Sequence, residues 1–367
     1  MMKQTKLILV GGFLGAGKTS MLYRAAELLQ KKGNKVGLIT NDQATNLVDT
    51  TVLSGNDMPV SEVSGSCFCC NFPGLVEAIE SVAFAIDGGI TIAEPVGSCT
   101  DLSATIMQPL KDKHKELVDP APMTVLADPE RLRGILDENE TTATYIATKQ
   151  FDEADIILIN KIDVLDAADA ETLAKRAQER WPQAKVMTAS VKDNIGVEEW
   201  LDEVLRPQDV GKNLATVDYD LYADGEAAYG WLNATYQFDA AGQDFAADAD
   251  AFLNALEKNL NEKNAAVGHV KFLLRSGEKQ WLGNLTGMAD HKTLREEAVP
   301  ASDVENEETP ANTLVVNARA EIGPKELQDL TLAAIDSAFS AYTFTGTDIR
   351  TLIPGRPNPT YHYDHVV

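Results

Sequence analysis

Residues 11–20, Gly11-Gly12-Phe13-Leu14-Gly15-Ala16-Gly17-Lys18-Thr19-Ser20, constrain the fold of this chain more than any other stretch. Positions 12–19 fit G-x-x-x-x-G-K-[ST], with the apolar run Leu7-Ile8-Leu9-Val10 before them and a helical pattern over 21–32 after them. Strand, glycine-rich turn and helix in that order make a phosphate cradle. Backbone N–H groups turn inward, and the positive end of the helix dipole points at the same charge. Gly12, Gly15, Ala16, Gly17, Lys18, Thr19 and Ser20 form this cradle; Lys18 reaches the β- and γ-phosphates and the Thr19 hydroxyl ligates Mg²⁺. The same apolar run lacks a small-residue cleavage site and is broken by glycines, so it reads as strand and loop rather than as an export signal.

Apolar strands alternate with helical patterns from there to residue 205, with strands expected at 35–40, 60–63, 89–93, 123–127, 155–160 and 185–188. That rhythm predicts an α/β P-loop NTPase domain, a mostly parallel sheet covered on both faces, over residues 1–208. Residues 209–367 then read as a small α+β domain, with strands at 230–238, 268–275, 279–285 and 313–318 and helices at 247–261 and 324–340. The acidic loop at 303–308 reads as solvated, and Tyr361–His365 as a disordered end with at most a minor metal-collecting role.

Ligands of such sheets bind at the carboxyl ends of the strands, and the polar motifs fall there. Asn160-Lys161-Ile162-Asp163 follows a buried strand. In N-K-x-D the Asp163 carboxylate accepts from guanine N1–H and the N2 amino group while Asn160 meets O6 and N7, so GTP is favoured over ATP. Thr188-Ala189-Ser190 is placed to back the base. Glu94 and Gly97, just past another strand, fit a residue of the Mg²⁺ shell or attacking water and a γ-phosphate contact, and with Lys18 they make the expected catalytic set. Asp42 and Asp49 are candidates for a first switch segment.

Cys67, Cys69 and Cys70 stand as C-x-C-C, three of the four cysteines within four residues, which is no disulfide framework. Thiolates so close suit one borderline cation such as Zn²⁺ or Co²⁺, with water, Cys99 or a carboxylate such as Glu62 as candidates for a fourth position. A net charge of −24 disfavours nucleic acid, no apolar stretch is long enough to span a bilayer, and the free thiols suit a reducing cytoplasm.

Taken together, G-G-F-L-G-A-G-K-T at 11–19, E-x-x-x-x-C-x-C-C at 62–70, E-x-x-G at 94–97 and N-K-x-D at 160–163 resemble the CobW-like GTPases. The resemblance implies a GTPase, cycling between GTP and GDP, that binds a transition metal at the C-x-C-C and couples its delivery to a client metalloprotein to nucleotide state. A homodimer across the nucleotide face is implied by the resemblance alone. The chain departs from the family at Gly65-Ser66, where Asn-Gly is usual before the first cysteine, and at Asn41-Asp42-Gln43-Ala44, where N-E-x-G is usual. With no evident arginine finger in the chain, slow intrinsic hydrolysis is expected. Two other readings are a GTP-gated chaperone for a corrinoid or other cofactor-dependent enzyme, and a GTPase gated by oxidation of the three thiols.

Overall fold

The computed structural model describes residues 3–42, 58–137, 142–239, 243–287, 291–299 and 312–367. They form two compact units, one running to residue 225 and including 356–367, the other spanning 226–355.

In the first unit β1 (Thr5–Gly12) leads through the glycine-rich turn into α1 (Lys18–Lys31). Then follow β2 (Val36–Asp42), β3 (Val60–Ser64), α2 (Phe72–Ala85) and β4 (Ile90–Glu94). A π-helical turn, Ser103–Met107, runs into α3 (Gln108–Lys113), after which come β5 (Val118–Pro120), β6 (Thr124–Ala127), α4 (Pro129–Leu136) and α5 (Thr142–Glu153). The unit continues with β7 (Ile156–Ile159), α6 (Ala167–Arg180), β8 (Lys185–Thr188), α7 (Val197–Leu205) and α8 (Tyr219–Ala227), whose last two residues fall in the second unit. Strand order is β3-β2-β4-β1-β6-β7-β8, with β5 also pairing β1, and every pairing is parallel. A sheet clad on both faces needs strands that are apolar throughout, as the uniformly buried Ile156–Ile159 shows. β1 is central, so its carboxyl end opens onto the middle of the edge where ligands of such sheets sit.

The second unit is an antiparallel sheet of β9 (Gly230–Phe238), β10 (Val267–Ser276), β11 (Lys279–Thr286), β12 (His291–Ala298), β13 (Asn312–Ala320) and β14 (Phe344–Leu352), ordered β12-β11-β10-β13-β9-β14. Helices α9 (Ala246–Glu262) and α10 (Pro324–Ala338) supply Phe252, Leu256, Leu327 and Ile335 to one apolar core with Phe272 and Val316 of the sheet.

Several expectations need correction. The first unit does not stop at Gln208 but runs on to 225, because the linker is tied down: Gly211 N–H donates to Asp155 at 2.8 Å, and Asn213 donates to the Ala154 carbonyl at 2.8 Å. β12, β14 and α8 were not foreseen. β14 is mostly exposed, with only every fourth residue half-buried, and lacks the alternating apolar face that would mark it as a strand. The end of the chain, expected to be disordered, packs on the first unit, since its N–H groups find carbonyl partners there: Thr360 donates to Cys69 O at 2.8 Å and Tyr363 to Ala104 O at 3.1 Å. The side chain of Asp42, with Asp49 and the acidic loop at 303–308, lies outside the described residues.

Candidate nucleotide and metal site

The cradle has the geometry its glycines allow. Gly12 has φ 131, and a Cβ there would lie 2.6 Å from the Leu126 carbonyl of β6. Gly17 caps α1 at φ 94, and a Cβ would lie 2.4 Å from Asn160 Nδ2. Both positions combine a positive φ with a close approach that only glycine permits. Lys18 is buried, with Nζ 3.3 Å from the Phe13 carbonyl and 3.8 Å from Glu94 Oε1. Thr19 Oγ1 donates to the same Glu94 oxygen at 3.2 Å. A hydroxyl and a carboxylate side by side beneath a phosphate cradle form the oxygen donor set that Mg²⁺ takes, so the residues fit that ion. Gly97 crosses above: a Cβ on it would fall 2.9 Å from Lys18 Nζ.

The base loop is built from two later strand ends. Ile162 N–H bonds the Ala189 carbonyl at 3.2 Å, and Ser190 Oγ donates to Asp163 Oδ1 at 2.8 Å. The 188–190 turn thus backs Asp163. Asn160 Nδ2 donates to Ala16 O at 2.9 Å and Oδ1 accepts Val191 N–H at 3.2 Å, which leaves its second N–H and second lone pair for a base. With both ends of its amide engaged, it ties the cradle to the base loop. Lys161, at φ 59, pairs with Asp128 at 2.8 Å. Asp128 also caps α4. Burial would raise this carboxyl, but the Lys161 ammonium outweighs it and holds the group below the usual carboxylate range. Nothing in the sequence singles out Asp128 beyond its place before Pro129.

The thiols converge on one point. Sγ atoms of Cys67, Cys69 and Cys99 lie within 4.8 Å of one another, all buried, and Cys67 and Cys69 are 2.9 Å apart. Cys70 stands beside them, 3.8 Å from Cys69, half-buried. Two thiolates on tetrahedral Zn²⁺ at about 2.3 Å would be roughly 3.8 Å apart, so the soft donor set suits a thiophilic ion, with Cys67 and Cys69 spreading from 2.9 Å to hold it. Glu62 is not in this group, and among the described residues no carboxylate or imidazole joins it. Hydrogen bonds from Cys69, then Cys70 and Cys99, pull the Cys67 thiol far down, while Cys69 is pushed up: the cluster gives up one proton readily and shares the charge.

Two connections link thiols to the cradle. The segment from Glu94 through Gly97 to Cys99 is one short turn, closed by Cys99 N–H on the Val96 carbonyl at 2.9 Å. From the other side, buried Asn41 at the end of β2 donates to the Val63 and Ser66 carbonyls at 2.7 and 2.8 Å and accepts Phe68 N–H at 2.9 Å, which fixes the cysteine loop. In the sequence Asn41 stands out only as part of the departure from N-E-x-G.

Behind Cys99 lies an acidic pair. Asp101 is buried at φ 64, accepts the Tyr219 hydroxyl at 2.7 Å and stands 3.0 Å from His362 Nε2. Glu153, fully buried, accepts Thr100 Oγ1 at 3.2 Å and Ser103 N–H at 2.7 Å. Burial first, and the Asp101 charge second, raise Glu153 well above its ordinary value of 4.5. The folded state therefore holds this proton more tightly than the unfolded state. Its contribution to stability falls as pH climbs from about 4.5 to the raised folded pKa. Glu153→Gln keeps an acceptor and removes the titration, so its melting temperature relative to the parent should improve between pH 5 and pH 8. A difference that does not change with pH would refute this.

A central parallel sheet, a glycine cradle and an N-K-x-D loop define a P-loop GTPase domain. Residues 6–188 match the CobW/HypB/UreG nucleotide-binding domain, and the first domain of this chain belongs to that family. The chain is 28% identical over 209 residues to the zinc chaperone YjiA of Escherichia coli (strain K12), a match covering 52% of this chain and 59% of that protein. It is 26% identical over 204 residues to the zinc chaperone CobW of Sinorhizobium sp, covering 48% and 56%. The matches thus span little more than half of each relative. Among solved structures, Zn(II)-bound YjiA GTPase from E. coli aligns over 91% of this chain and 99% of that chain at 18% identity and a TM-score of 0.37. HypB from Helicobacter pylori in complex with nickel aligns over 55% and 85% at 20% identity and a TM-score of 0.40.

Proposed function

We propose that this protein is a GTP-hydrolysing metallochaperone that carries a transition-metal ion, Zn²⁺ or Co²⁺, on Cys67, Cys69 and Cys99 and delivers it to a client protein according to nucleotide state. The observation that carries this reading is the turn from Glu94 to Cys99. One end of it meets Thr19 and Lys18 at the phosphates, and the other end supplies a thiol to the trio. A γ-phosphate that draws Gly97 toward it moves the peptide two residues from Cys99, and the Asn41 bonds transmit any shift of β2 to Cys67 and Cys69. Lys18 neutralises phosphate charge, and Glu94 orients what the Thr19 hydroxyl binds. Mg²⁺, when bound, supplies charge neutralisation at the β- and γ-phosphates. Hydrolysis without a partner is slow, and the protein works in the cytoplasm.

Nucleotide and metal must influence each other equally, because the coupling free energy is reciprocal. Metal affinity of the reduced protein, measured by competition with a chromophoric chelator, is expected to differ about tenfold or more between a non-hydrolysable GTP analogue and GDP, a coupling of roughly 1.4 kcal/mol. Equal affinities would mean that nucleotide does not drive metal transfer. If mild oxidation and thiol rescue control GTPase activity with no metal added, the thiols are a redox gate instead; the 2.9 Å approach of Cys67 and Cys69 is the observation that favours that second reading.

A further inference from the structure

Residues 356–367 lie across the thiol loop, and the groove they fill offers main-chain carbonyls and side chains alike: Tyr363 Oη donates to Asp112 at 2.6 Å and Val367 N–H to Gln108 Oε1 at 2.8 Å. Asn358 N–H points at Cys70 Sγ at 3.4 Å. Thr360 N–H donates to the Cys69 carbonyl at 2.8 Å, and Thr360 Oγ1 to the Cys70 carbonyl at 3.2 Å. Three residues on, Tyr363 N–H donates to the Ala104 carbonyl of the π-helical turn at 3.1 Å. Two side chains mark the register. The Tyr361 ring packs edge-on against Phe72, centroids 5.2 Å apart, and His362 Nε2 stands 3.0 Å from the carboxylate of buried Asp101. The second oxygen of Asp101, Oδ1, is buried with no hydrogen-bond partner.

These residues hold on by hydrogen bonds, the Arg356–Asp220 and His362–Asp101 pairs, and ring contacts of Tyr361 with Phe72 and of His362 with Tyr219; Pro357 is buried, but from 358 to 367 every residue is exposed or half-exposed. Hydrogen bonds of this kind contribute little net stability, because both partners can return to water. Pro357 and Pro359 keep the segment extended before it docks, which lowers the ordering cost. A segment held in this way can come off without disturbing a core. The main-chain carbonyls beneath it, Cys69 O and Ala104 O, accept from any extended chain with suitably spaced N–H groups, and selectivity comes from the Phe72 and Asp101 positions.

We propose that this groove is the docking site for an extended polypeptide segment of the metal recipient, and that residues 358–367 occupy it in the free protein. The proposal rests on the metal-carrying function given above. A recipient segment fits best with an aromatic residue against Phe72 followed by a histidine or a basic residue over Asp101. In displacing residues 358–367 it uncovers Cys70 and Cys69, and a histidine there brings a metal-binding imidazole to the loop that holds Cys99.

The test is made on metal-free, reduced protein with a fluorescent peptide of residues 356–367, against a chain ending at Gly355, the full chain, and full chains carrying Thr360→Pro or His362→Ala. The peptide should bind the shortened chain at least tenfold more tightly than the full chain, and a scrambled peptide should not bind. Thr360→Pro removes both Thr360 donors, so thiol labelling of Cys70 in the metal-free protein should quicken about tenfold, and in a separate sample loaded with Zn²⁺ a chelator should remove the ion about tenfold faster. If the shortened chain does not fold, the two full-length variants decide. No peptide binding, together with thiol labelling within twofold of the parent, would overturn the proposal. Metal binding is scored separately. A protein that binds the ion but not the peptide loses the groove and keeps the carrier function, and one that binds only the peptide does the reverse.

Discussion

Cys99→Ser should weaken Zn²⁺ binding by the reduced protein by about two orders of magnitude, roughly 2.7 kcal/mol, and by more than Cys70→Ser does. The order follows from geometry. Cys99 Sγ lies within 4.8 Å of both Cys67 and Cys69 at a buried point, whereas Cys70 is half-buried and its sulfur accepts the Asn358 N–H. Replacing one thiolate of three with a hydroxyl removes a soft ligand that water can replace only poorly in a closed site. The same substitution should leave GTP affinity in the absence of metal nearly unchanged, since Cys99 reaches the phosphates only through the turn at Gly97. Chelator competition measures the first effect and fluorescent-nucleotide titration the second. If Cys70→Ser were the costlier change, the ion would sit on the C-x-C-C alone and the link to Glu94 would be lost.

Asp163→Asn should lower GTP affinity about a hundredfold or more and bring XTP affinity up to or above it. The Asp163 carboxylate is largely buried, at 12% side-chain exposure, with Ser190 Oγ on one oxygen and Lys192 Nζ 3.6 Å from the other. Guanine N1–H and N2 amino groups need an acceptor there. An amide that turns its NH₂ toward the base instead suits the carbonyl of xanthine, and a site that leaves a buried donor or acceptor unpaired discriminates strongly. Retained GTP affinity in the variant would remove Asp163 from base recognition. Because Asn160 also bonds Ala16 and Val191, Asn160→Ala should act differently, loosening the cradle and so weakening all nucleotides in addition to any loss at the base.

The two motifs that could be read directly are those whose chemistry lives in a few consecutive residues. Gly12 to Thr19 and Asn160 to Asp163 each follow an apolar strand, and period and turn chemistry fix where they lie on the sheet. The alternation of strands and helices likewise gave the first domain's class. The second domain was harder to read because antiparallel strands such as β12 and β14 carry exposed polar residues with no apolar face to betray them.

What the sequence determined by itself was therefore local: a phosphate cradle, a guanine-type loop, a group of thiols, and a parallel sheet with its ligand edge at the end of β1. Tertiary structure alone decided which atoms meet. It chose Cys99 to complete the trio and left Glu62 out, gave Asn41 to the cysteine loop and Asp128 to Lys161, and laid residues 358–367 over Cys69 and Cys70. Contacts between residues far apart in the chain are set by how the sheet and its helices bring distant loops to one edge. Asn358 and Cys70 are separated by 288 positions, and no periodicity or spacing in either segment records the other.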